Sequence, residues 1–244
     1  LRTGPHSIMK QGTPRDLEGR TQIHPLLQNL IELRDQLTKG NVRSTLNLSE
    51  VLAPFINIIT SEDVTSPVTT LALDVILKLI TSGFLNESMV NGVAIMEELT
   101  NSIMHVQFEL SDPTSDEITL LRVLTVFSTI VISPVGQLLS TAQTLKVLKS
   151  IFRIGRETRP TEILRQSADL AILEIISQLF RRENMDCSEI FDYFCELSDP
   201  EFLGKSLSTR LLGLNLCLSV LETVSDIKRP DLISLICDKL TRAR

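Results

Sequence analysis

Three proline-marked junctions govern what this chain can become. Ser66-Pro67, Asp112-Pro113 and Arg159-Pro160 each precede a long apolar stretch, and the prolines follow one another at steps of 46 and 47 residues. Proline suits the first turn of a helix, where its missing N–H would have no acceptor. In the first two junctions the preceding residue carries a side-chain oxygen fit for an N-cap. Apolar residues then recur at three- and four-residue steps, which predicts helices over 69–81, 115–132, 162–180 and, about one period on, 206–223. More amphipathic partners are predicted at 87–108, 141–156 and 229–242, and an earlier helix from His24-Pro25 through Leu37, closed by Gly40.

Burial gives the pattern its meaning. The stretch 118–132 is apolar on nearly every side, and a single helix pair cannot hide it, whereas stacking on neighbours before and after it can. Periods of about 40–47 residues with two or three helices belong to HEAT and armadillo arrays. The expectation is an all-α chain folded as a right-handed helical-repeat solenoid of HEAT/armadillo type. Each unit reads as an apolar helix followed by an amphipathic one, and a helical bundle is the alternative. Residues 1–23, with Gly4, Pro5, Gly12, Pro14 and Gly19 among polar neighbours, read as a flexible lead-in. A repeat domain over 24–182 follows, then a short linker at 183–188, where Asp186 or Ser188 caps a second helical region over 189–244.

Composition narrows the function. With 30 acidic against 24 basic residues, one Tyr and no Trp, the chain lacks both the cationic surface and the stacking platforms that nucleic acids require. Cys187, Cys195, Cys217 and Cys237 are widely spaced and read as buried apolar residues in a reducing compartment. His6, His24 and His105 belong to no metal motif, so no metal or cofactor is expected. Phosphate loops, dinucleotide fingerprints and nucleophile elbows are missing. The adjacent pairs Glu97-Glu98 and Asp116-Glu117 diverge by about 100° on a helix and cannot share a proton. The expectation is therefore not an enzyme. The longest apolar run, 118–132, contains Arg122 and falls short of a membrane span. Without a signal peptide or initiator Met, the chain reads as a fragment.

Two sets of residues are candidates for binding. Lys78 lies late in one apolar helix and Glu117 early in the equivalent helix one repeat on, so stacking could set them close together on one side. On a self-complementary two-fold surface, Lys78 of one copy meets Glu117 of the other. The alternative is a pair of ordinary surface charges. Lys146, Lys149, Arg153 and Arg156 share one face of a helix, which suits either anionic lipid headgroups or plain solvent.

Several blocks carry a resemblance. Leu52-Ala-Pro-Phe-Ile-Asn-Ile-Ile-Thr-Ser61, Thr65-Ser-Pro-Val-Thr-Thr-Leu-Ala-Leu73 with Lys78, Ser111-Asp-Pro-Thr-Ser-Asp-Glu117, Ser133-Pro-Val-Gly136 and Glu162-Ile-Leu-Arg-Gln-Ser-Ala168 stand in this order. Together they resemble the amino-terminal regulatory region of the large Arf guanine-nucleotide exchange factors of the Golgi type (the GBF, Gea and GNOM group). Over 24–182 the match is to the dimerisation and cyclophilin-binding (DCB) domain. Leu207-Ser-Thr-Arg-Leu-Leu-Gly-Leu214, through Leu221-Glu222, resembles the start of the homology-upstream (HUS) domain. The resemblance implies a non-catalytic, homodimerising scaffold, cytoplasmic and peripheral to Golgi membranes, which reaches small GTPases of the Arf or Rab type through its parent protein. It assigns self-association to the lysine after the Leu-Ala-Leu block and to the glutamate of the Ser-Asp-Glu motif, here Lys78 and Glu117. Two departures stand out: no upstream first helix is recognisable in 1–23, and the polar linker near 181–188 is very short. The competing reading is a generic adaptor that binds a peptide or helix along a concave face.

Overall fold

The computed structural model describes residues 24–38, 47–109, 112–156, 160–182, 186–199 and 206–227, together with 233, 234 and 236. The lead-in at 1–23, the expected cap Gly40, the linker residues 183–185 and Cys237 lie outside them. Among the described residues every long element is a helix: α1 (Pro25–Thr38), α2 (Leu48–Ile59), α3 (Ser66–Thr81), α4 (Gly92–Met104), α5 (Pro113–Ile132), α6 (Thr141–Arg156), α7 (Glu162–Leu179), α8 (Ser188–Ser198) and α9 (Leu207–Ile227), with a 3₁₀ turn at Pro134–Leu138. One isolated parallel bridge, Thr65 with Glu109, clips the α4–α5 connection to the α2–α3 connection.

The helix starts follow local chemistry. Asp112 accepts a hydrogen bond from Ser115 N at 3.0 Å, and Thr161 from Leu164 N at 3.2 Å. Each satisfies an N–H that the first turn leaves without a partner. The Ser115 hydrogen bonds hold the Asp112 carboxyl below its ordinary range. Asp186 accepts from Ser188 N at 2.9 Å and opens α8. The first junction differs from expectation. Thr65, not Ser66, occupies the N-cap of α3, and it makes no side-chain cap bond. Ser66 is fully buried as the first helical residue, because its hydroxyl is drawn sideways to α5.

The helices pack as two rows in serial order. One row runs α3, α5, α7, α9, each against the next; the other runs α2, α4, α6, α8. Close antiparallel pairs α2/α3, α6/α7 and α8/α9 tie the rows together. In α2/α3, α6/α7 and α8/α9 the amphipathic helix precedes its apolar partner, while α5 also contacts α6 after it, the order that the sequence reading expects. The connection at 60–65 is short and returns the chain directly from α2 to α3. Serial packing of this kind is compatible with a helical-repeat solenoid.

A single buried cluster extends from Leu52 to Val224 and Ile236 without a gap, and Phe127, Phe180, Phe191 and Phe194 are its largest fully buried side chains. Two glycines set helix spacing. A Cβ on Gly155 would stand 2.7 Å from the Ala168 Cβ, and one on Gly213 would stand 2.7 Å from Ser198 N, so α6/α7 and α8/α9 cross at nearly backbone contact. By length and composition the window Leu207–Asp226 of α9 could cross a membrane, but 44% of it is buried inside the protein. Cys187 and Cys217 are buried and Cys195 is half-buried, and none of these three forms a disulfide.

Candidate functional site

The α3–α5–α7 row brings the Asp116-Glu117 pair into focus. Successive residues on a helix point about 100° apart, and here the two carboxylates serve opposite neighbours. Ser66 Oγ on α3 donates to Asp116 Oδ1. Thr161 Oγ1, the N-cap of α7, donates to Glu117 Oε1. The first turn of α5 is thereby tied to the helix on either side of it.

Below this tie, α3 and α5 are held by a ladder of polar contacts. Thr119 Oγ1 donates to Ser66 O at 3.1 Å and lies 2.8 Å from Thr70 Oγ1, and Arg122 Nε pairs with Asp74 Oδ1 at 2.7 Å. Residue numbers rise together on the two helices, so α3 and α5 run parallel with a fixed offset. Hydroxyls with full partners inside an otherwise apolar contact specify one register, since any slip would leave them unpaired.

That register places the two expected interface residues. Glu117 stands level with the start of α3, and Lys78 lies in its last turn, about 16 Å further along the shared axis direction at 1.5 Å per residue. Within one chain they are not neighbours, which corrects the expectation that stacking sets them close. Lys78 is exposed and Glu117 half-buried. Between and around them the row's outer surface carries apolar residues open to solvent: Val68, Leu71 at 64% exposure and Ile118 at 50%. Further along the row, Ile163, Leu170 and five leucines of α9 (Leu207, Leu211, Leu214, Leu218 and Leu221) are also exposed. An open groove of about 570 Å³ runs between α5 and α7, lined by Leu121, Leu124, Leu170 and Glu174 among others.

The four basic residues of α6 fare differently. Arg156 is not presented to solvent: its guanidinium makes two hydrogen bonds to Asp169, at 2.7 and 2.9 Å, and its side chain is only 11% exposed. Arg153 Nη2 donates to Met104 O at 3.1 Å, satisfying a carbonyl at the end of α4. Lys149 Nζ sits 5.1 Å over the Tyr193 ring, a cation–π contact between α6 and α8, successive helices of one row. Lys146 is exposed. Lys146, Lys149 and Arg153 thus remain exposed on α6, while Arg156 is drawn inward by Asp169.

Three residues that matter here were not singled out from the sequence. Thr161 follows a noted proline junction but gave no signal of reaching α5. Gln143 on α6 is buried and donates to Thr100 Oγ1 at 2.6 Å and Asn101 Oδ1 at 3.0 Å on α4. Arg182, read as part of a polar run, turns inward and donates to Gly136 O at 3.1 Å and to Val131 O. His105, by contrast, is an exposed C-cap residue whose Nδ1 lies 2.7 Å from Asn101 O.

Comparison with known proteins bears on what this face serves. No protein-family model matches the chain. It is 28% identical over 195 residues to ARF guanine-nucleotide exchange factor 2 of Saccharomyces cerevisiae, a match covering 78% of this chain and 13% of that protein. It is 30% identical over 158 residues to ARF guanine-nucleotide exchange factor 1 of the same yeast, covering 65% and 11%. A Golgi-specific brefeldin A-resistance guanine nucleotide exchange factor 1 homolog of Caenorhabditis elegans is 28% identical over 159 residues, covering 65% and 8%. The chain thus spans about a tenth of the length of the curated relatives it matches. This chain is a homologue of the Golgi-type Arf guanine-nucleotide exchange factors, matching one segment of them.

Proposed function

We propose that this chain is a non-catalytic regulatory segment of an Arf guanine-nucleotide exchange factor, a DCB-like array over 24–182 followed after a short linker by the start of a HUS-like region. In this reading the two-row array is a right-handed solenoid of HEAT/armadillo type, and its task is self-association that helps bring the parent protein to Golgi membranes. Contact with Arf or Rab GTPases belongs to the parent protein. The observation that supports the reading most is the arrangement on the α3–α5 face. Opposite charges, Lys78 and Glu117, stand at opposite ends of a strip that exposes Val68, Leu71 and Ile118. A two-fold axis through such a strip brings each lysine onto the partner's glutamate while the apolar centres cover each other.

Sedimentation of the chain at tens of micromolar tests this. Wild type is expected at twice its 27.3 kDa mass. Lys78→Glu and Glu117→Lys are each expected to weaken association by about tenfold or more, because like charges then face each other twice in the dimer. The double reversal is expected to restore it. A monomer at all concentrations, or no response to either reversal, would favour the adaptor reading, for which the α5–α7 groove is the natural peptide site.

A further inference from the structure

We infer that Thr161 is a positioning residue for the self-association contact, holding the Glu117 carboxylate in the pose that the partner copy's lysine meets. The inference rests on the dimer reading above and adds a residue and a condition to it. Glu117 is not a free surface carboxylate. One of its oxygens, Oε1, accepts from Thr161 Oγ1, and that hydroxyl oxygen accepts in turn from Leu164 N at 3.2 Å in the first turn of α7. A relay of backbone N–H, hydroxyl and carboxylate therefore runs from α7 into the side chain of Glu117. It leaves Oε2 as the oxygen to meet an incoming ammonium.

Two physical consequences follow. Fixing a three-torsion side chain before association removes part of the ordering cost that binding would otherwise carry. The carboxylate also sits beside the positive end of α7, so its placement depends on α7 being seated against α5. Interface competence is thereby made conditional on correct stacking of the next repeat. Asp116 is occupied symmetrically by Ser66 and cannot substitute, because it points toward α3.

The test separates the capping role of Thr161 from its hold on Glu117. Thr161→Ser keeps both and is expected to associate within about twofold of wild type. Thr161→Asp keeps an N-cap acceptor for Leu164 N but offers no proton and sets a second negative charge against Glu117. It is expected to raise the dimer dissociation constant about tenfold with an unchanged thermal unfolding midpoint. Thr161→Asn caps equally, and its amide can donate to Glu117, so recovery of association there supports the inference even where the aspartate variant loses stability. Association of Thr161→Asp at wild-type strength, or equal loss in the asparagine and aspartate variants, overturns it. If the Lys78 and Glu117 reversals leave the wild-type mass untouched, the dimer reading falls and takes this inference with it. If they act as expected while the Thr161 series does not, the inference alone falls.

Discussion

Replacing Phe127 with alanine is expected to lower stability by about 3–5 kcal/mol, the range for emptying a buried aromatic site in a packed core. Phe127 is fully buried in the C-terminal half of α5, and α5 contacts α3 before it, α7 after it and α6 in the other row. The lost transfer energy is therefore joined by the cost of a cavity within the continuous core cluster. The polar ladder between Ser66, Thr70, Thr119 and Arg122 resists a shift of α3 or α5 into it, because closing the hole would misalign the ladder. Urea unfolding followed by circular dichroism measures the loss. Phe127→Leu, which keeps most of the volume, should cost less than about 1.5 kcal/mol. Ile118→Ala, one helix face away and half exposed, should stay within about 0.5 kcal/mol.

Arg182→Ala is expected to cost about 1–3 kcal/mol, chiefly through Val131 O losing its donor in a partly buried setting, since Gly136 O still accepts from Leu139 N at 3.3 Å. Val131 O belongs to the C-terminal turn of α5, where the helix has no N–H of its own to offer, and Gly136 O to the 3₁₀ turn after it. The guanidinium also places positive charge at the negative end of α5. Burial lowers its proton affinity without depriving it of its charge at neutral pH. Arg181, adjacent but exposed, supplies the control: Arg181→Ala should change stability by no more than about 0.5 kcal/mol. Arg182→Lys retains the charge but loses the planar fork and should fall between the two. Equal unfolding midpoints for the 181 and 182 alanine variants would show that the inward turn of Arg182 does not stabilise the α5 terminus.

Much of the candidate face was legible in one dimension for a specific reason. Lys78 and Glu117 lie on helices whose starts are marked by prolines, so their places within each helix follow from counting. Their mutual position was not legible, because it depends on whether α3 and α5 run parallel and with what offset. That offset is decided by Thr119 reaching Ser66 and Thr70, contacts between residues 49 and 53 positions apart that no local rule marks. The basic face of α6 shows a similar limit: helical spacing aligned four cations, and only packing shows that Asp169 draws Arg156 inward while Lys146, Lys149 and Arg153 stay exposed.

What the amino-acid order determined by itself was most of the helices with their approximate ends, though not α2 or the bounds of α8, and the need for each apolar helix to be covered on several sides; the helix expected at 229–242 lies largely outside the described residues. Periodicity, caps and proline act within a few residues, so they are complete in any window of the chain. How the rows align and which charges remain exposed were decided only by tertiary packing. Those outcomes depend on hydrogen bonds and close approaches between distant segments, at Gly155, Gly213, Thr161 and Arg182, where a difference of a few tenths of an ångström separates a satisfied contact from an unpaired one.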